Sequence, residues 1–208
     1  MAWLQGGPFL ELSFIIKQPI RIEDILSKLG KVPVKIEVHS TPELIQQYYK
    51  GFPYDEETTN SAMIHKATIN LTVHTKRQRK AILFVERISS ELISFSMCFF
   101  GSVFDAPEWN QPGIRDEEVD EFVSLLVLLH SELKFSLGGL AYEEDIRVLF
   151  DTDEIWPSEE YVISNLNIKD NIQKFHAIVI QQSFKDKLPN GQTITAIDSS
   201  HYLYCTAH

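Results

Sequence analysis

An apolar run, Val148-Leu149-Phe150, ends in Asp151-Thr152-Asp153. Two carboxylates one residue apart, placed where a buried segment meets solvent, could do two kinds of chemistry. One could attack phosphorus while the other moves its proton. Alternatively both, with Glu144, could hold a divalent metal bridging the phosphates of a nucleotide substrate. Each chemistry needs a second half, and the chain lacks it. It contains no Walker-type phosphate loop and no Gly-x-Gly-x-x-Gly. Read as a calcium loop, the segment has neither the required glycine nor the glutamate at the twelfth position.

The triplet also resembles the nucleophile motif of haloacid-dehalogenase-like phosphatases, a likeness that implies Asp151 as nucleophile and Asp153 as acid/base. That family places the motif at the end of its first strand. Here it stands near residue 154 of 208, and too little chain follows for the family's later Lys and paired-Asp elements. Other chemistries fare no better. The seven histidines are scattered, with no His-Glu-x-x-His and no zinc-finger spacing, so only convergence in space could make a metal site of them. Cys98 lies in "FSMCFFG", without the nearby positive charge that would stabilise a thiolate. No Gly-x-Ser-x-Gly elbow exists. The expectation is therefore no catalytic residue, no metal and no cofactor.

Carboxylates are instead concentrated. Asp105 to Glu121 holds seven acidic residues against Arg115, and Glu143 to Glu160 holds eight against Arg147, together fifteen of the chain's 29. Aromatics interleave with them: Phe104 and Trp109 in the first stretch, Tyr142, Trp156 and Tyr161 in the second. Aromatic anchors among charges of one sign suit steered binding to a basic protein. The candidate partner-binding residues are Trp109, Tyr142, Glu143, Glu144, Asp145, Asp151, Asp153, Glu154 and Trp156.

The elements that must position these residues follow from periodicity. Leu10, Leu12, Phe14 and Ile16 alternate as on a strand; Ile22, Ile25, Leu26 and Leu29 share a helical face before Gly30. Val34, Ile36 and Val38 return as a strand, and Thr41 caps a helix from Pro42 to Lys50. "KATINLTVHT", "KAILFVERI" and "ELISFSMCFFG" form an antiparallel meander, the second as a central strand, the third with a small-residue face open to a close helix. "HTKRQRK" is the charged tip between the first two.

The segment 104–115 is the one candidate internal boundary in a single domain spanning 1–208. After it, Asp116 caps the strongest helix, Glu117 to about Lys134, apolar enough to be covered on both sides. "KFSLGGLAYEED" is a strand or extended segment with a break at Gly138-Gly139, and Ser158 lies where a short helix can open. Two or three strands end the chain, with a hairpin turn at Pro189-Asn190-Gly191. The fold class is α+β: largely antiparallel sheet packed against one long apolar helix and shorter helices.

Length and composition bound the function. At 208 residues and 44% hydrophobic, the chain buries a real core. A net charge of −10 disfavours nucleic acid and anionic membranes and favours a basic partner. Two cysteines, no basic leader and no apolar run near the roughly 18 residues of a membrane span predict a cytoplasmic protein. In this whole-chain profile the protein resembles bacterial immunity proteins that neutralise secreted toxins. The likeness implies a non-enzymatic inhibitor that captures a basic protein through an acidic surface. Two alternatives remain: a metal-dependent phosphoester enzyme using Asp151 and Asp153, and a homo-oligomeric structural protein, a homodimer in which the apolar helix faces its twin.

Overall fold

The computed structural model describes residues 2–17, 19–53, 63–150, 158–189 and 194–206. Its strands are β1 (Phe9–Lys17), β2 (Lys35–His39), β3 (Phe52–Pro53), β4 (Met63–Ile64), β5 (Lys66–His74), β6 (Gln78–Arg87), β7 (Leu92–Phe100), β8 (Leu137–Tyr142), β9 (Phe175–Gln181), β10 (Ile194–Ala196) and β11 (His201–Cys205). Its α-helices are α1 (Ile22–Leu29), α2 (Pro42–Lys50), α3 (Val119–Leu133), α4 (Glu159–Ser164) and α5 (Ile168–Asn171). Nine strands form one sheet in the order β10-β11-β9-β8-β1-β7-β6-β5-β2, every neighbour antiparallel, with β3 and β4 paired separately. The class is α+β, as the periodicity predicts.

Alternation decides which side of each strand is buried. Leu10, Leu12, Phe14 and Ile16 of β1 join Ala67, Ile69, Leu71 and Val73 of β5 and Ile93, Phe95, Met97 and Phe99 of β7 in one core beneath α1 and α3. Burying large aliphatic and aromatic side chains on this scale is the main force holding the layer together. The opposite face is covered over β8, β9 and β11 by the turn Ile146–Leu149, by α4 and α5, and by Phe184 and Leu188. That cover explains why Ile15 is buried as well, although it points away from the first core. At the other end of this second face, Trp3 and Leu4 pack with Phe100, Ala106 and Trp109.

Four local expectations are revised. β6 is an interior strand, yet of its apolar residues only Ala81, Leu83 and Val85 are deeply buried, in line with buried Arg79; Ile82 and Phe84 are half-exposed on the other face. The Gly138-Gly139 pair does not break β8. A Cβ on Gly138 would come within 2.5 Å of the Phe135 ring, and one on Gly139 within 2.6 Å of the Phe175 ring, so the glycines let two phenylalanines lie flat on the strand. Asp116 does not cap α3. It opens a 3-10 turn, Asp116–Glu118, in which the Glu118 carboxylate accepts from the Arg115 backbone N–H at 3.0 Å. The turn Pro189-Asn190-Gly191 extends beyond the described residues, and β9 pairs with β8 and β11; the hairpin partner of β11 is β10.

The small-residue face of β7 receives the Glu11 carboxylate, whose Oε2 accepts from Ser96 Oγ at 2.8 Å. Thr41 and Ser158 cap α2 and α4 as their side chains suggest. No helix among the described residues is long and apolar enough to cross a membrane.

Candidate functional site

Strands from both sides of the Pro- and Gly-rich segment 101–118 pair in the same sheet, and the segment itself is closely braced. An isolated bridge joins Ala106 to Gln111, and Asn110 takes a left-handed φ of 52° to close it. Buried Gln111 exchanges two hydrogen bonds with the Gln5 backbone, at 2.8 and 2.7 Å. Ile114 donates to Ser102 O at 2.7 Å, and Gly113 donates to Asp105 Oδ1 at 2.9 Å. Gly113 is required by this closure, because a Cβ there would sit 2.6 Å from the Phe104 carbonyl.

Beneath the loop lies Arg79, 2% exposed, which donates to the Pro112 and Gly113 carbonyls at 3.0 and 2.8 Å and to Glu118 Oε1 at 2.8 Å. Burial pushes the Arg79 guanidinium down from its ordinary range, while the Glu118 charge opposes the shift. Glu118 stays below the usual carboxylate range: desolvation raises it, but the Arg115 backbone and Arg79 together prevail.

What this frame holds out is apolar. Phe104 is 78% exposed and Val103 51%. The carboxylates of the same stretch, 105–121, divide into two groups. The tip of the β5–β6 hairpin neutralises three: Arg77 pairs with Asp105 at 2.8 Å and with Glu118 at 3.9 Å, and Lys76 pairs with Glu121 at 3.0 Å. Glu108, Asp116, Glu117 and Asp120 are exposed and have no ion pair among the described residues.

The residues nominated from sequence are distributed differently. Trp109 is half-buried against Trp3, Leu4 and Phe100, and its carbonyl accepts from Lys80 Nζ at 2.7 Å, so much of its ring belongs to the structure. Tyr142 is also half-buried, edge-on to His176. Glu143, at a left-handed φ of 56°, receives the Phe9 N–H on its carboxylate. Glu144 pairs with Lys174 at 3.1 Å, and Asp145 holds Arg147 at 2.6 Å while capping the following turn. Asp151, Asp153, Glu154 and Trp156 lie outside the described residues.

Sequence reasoning passed over Val103 and left Phe104 off the final set. The available signal was a large apolar pair interrupting an otherwise polar loop directly after a strand.

Two polar clusters could do chemistry. On the second face Glu11, Ser96 and Cys98 meet, with Asp145 and Glu143 nearby. Burial raises the Glu11 carboxyl and pushes the Cys98 thiol up to about 12, which leaves no thiolate at neutral pH. At the far edge, His130 of α3 comes against Asp198 and His201 of the β10–β11 hairpin, and one ligand atom from each lies within 4.8 Å of the others. The His130 and His201 ring centroids are 4.3 Å apart.

No family model matches the chain, and no curated protein matches it. Among solved structures, the Pseudomonas aeruginosa T6SS protein PA0821 aligns over 95% of this chain and 66% of its own, with 9% identity and a TM-score of 0.38. This chain therefore spans just under two thirds of that protein's length, and a likeness at this level assigns neither fold nor function.

Proposed function

We propose that the chain is a non-enzymatic capture module that binds a basic protein through the Phe104 tip and its surrounding carboxylates, acting as an inhibitor of the immunity type. The observation that carries this reading is Phe104 itself, 78% exposed on a loop whose backbone is fixed by Gln111, Gly113 and Arg79. A large apolar side chain held in water is a liability unless something covers it, and aromatic anchors supply most of the energy at protein interfaces. Fixing the loop in advance lowers the ordering cost of association. Glu108, Asp116, Glu117 and Asp120, exposed and without an ion pair among the described residues, give the approach a sign: they attract a cationic surface and repel an anionic one.

Affinity capture from extracts of the source cells, with wild-type, Phe104→Ala and Glu108→Lys/Glu117→Lys baits in parallel, tests this reading. A basic protein retained by wild type and depleted at least tenfold on both variant baits is the expected result, matching the ~1.4 kcal/mol that a tenfold change represents. Equal recovery on all three baits would refute the site.

A further inference from the structure

We propose that His130, Asp198 and His201 form a binding site for a divalent transition-metal ion of the zinc type, independent of the Phe104 surface. His130 stands in the last turn of α3, and Asp198 and His201 flank the β10–β11 hairpin closed by the Ile197 N–H donating to His201 O at 2.9 Å. One nitrogen or oxygen from each of the three lies within 4.8 Å of the others.

Independent support comes from His130. Its side chain is fully buried, and among the described residues neither ring nitrogen has a partner at full hydrogen-bond geometry, the Phe135 backbone being only a weak polar neighbour. A buried imidazole left in that state has given up water for nothing, and an ion between it and the hairpin would supply the missing partner.

The hairpin side is oriented as well. His201 Nδ1 lies 2.9 Å from Ser200 Oγ and 3.1 Å from Asp198 Oδ1, and the Ser200 N–H donates to that same oxygen at 2.8 Å. Lys134 Nζ stands 3.9 Å from Asp198 Oδ2, a weak cationic neighbour that an ion would displace.

Two imidazoles and one carboxylate suit Zn²⁺, Co²⁺ or Ni²⁺ rather than Mg²⁺ or Ca²⁺, which prefer all-oxygen shells. Ligands about 2.0–2.2 Å from a tetrahedral ion lie roughly 3.5 Å apart, so the hairpin would close by on the order of 1 Å. The ion would tie the long helix to the β10–β11 edge and leave a fourth position for water.

Tag-free, chelator-treated protein titrated with Zn²⁺ by calorimetry, and with Co²⁺ by visible absorption, decides the matter. Expected are one equivalent of Zn²⁺ at micromolar or tighter Kd, a tetrahedral Co²⁺ band, and a rise in Tm with Zn²⁺. Asp198→Asn, at a half-buried position, and His201→Gln, at the sheet edge, should each weaken Zn²⁺ at least tenfold while keeping a cooperative metal-free transition. No saturable Zn²⁺ binding below millimolar in wild type, or equal affinity in both variants, would overturn the proposal.

Discussion

Arg79 and Glu118 form an ion pair whose side chains are only 2% and 10% exposed, directly under the Phe104 loop. Removing one member of a buried pair strands the other charge, at a cost of about 3–5 kcal/mol. Glu118→Leu should therefore lower the unfolding free energy by that amount in urea titrations and should loosen the loop, speeding amide exchange at Gly113 and Ile114. An unchanged exchange pattern would mean that Gln111 and Asp105 alone hold the tip.

His130 makes a second residue-scale prediction. Its folded pKa is about 4 against 6.5 for the free side chain, so between those values the unfolded chain binds a proton that the folded chain refuses. Stability from this group is full above pH 6.5, declines as pH falls, and levels off below 4. The groups facing the ring are His201, Asp198 and Lys134. With chelator present, wild type should lose about 3 kcal/mol more than His130→Leu between pH 7 and 4. Parallel pH profiles would show that the ring is hydrated. Neither group was legible as a site from sequence, because Arg79 reads as one more charge on a hairpin and His130 as a packed histidine; their meaning lies in what folds over them.

Strands and helices were far more legible, since period 2 and period 3.6 record burial directly. In α3, Phe122, Leu125, Leu126 and Leu129 are fully buried in the core shared with the sheet and α1, while Val127 and Leu128 are half-exposed, so the helix is sealed on one side and not all round. Leu126→Ala should cost about 2–5 kcal/mol in unfolding free energy, the range for emptying a packed site. A loss under about 1 kcal/mol would place Leu126 at the surface.

β8 was legible as a strand or extended segment, but its continuity was not, because two glycines suggest a break, whereas the Phe135 and Phe175 rings need the space. Gly139→Ala should then destabilise by about 1–3 kcal/mol through overpacking. A neutral or stabilising change would contradict that account.

At the scale of the whole molecule, strand order was beyond the sequence. β1 pairs with β7, 75 or more positions later, and with β8 beyond the 101–118 segment, and no local pattern encodes either choice. Prolines and glycines in that segment looked like a boundary because they record backbone geometry, not the buried arginine that braces it. Net charge, by contrast, is a whole-chain property that the sequence states outright: −10, to which the stretch 105–121 contributes four exposed carboxylates without an ion pair among the described residues. Exposed charges act over a Debye length of ~8 Å at physiological salt, so they set how fast a partner arrives, while a desolvated aromatic sets how long it stays.

The association rate constant of the captured partner, measured by stopped flow across a salt series, therefore tests the central claim most directly. The account predicts a rate that falls steeply with salt in wild type, is slowed at low salt and nearly flat in salt for Glu108→Lys/Glu117→Lys, and is little changed for Phe104→Ala, whose defect appears as faster dissociation. A rate indifferent to salt and to both charge reversals would contradict it.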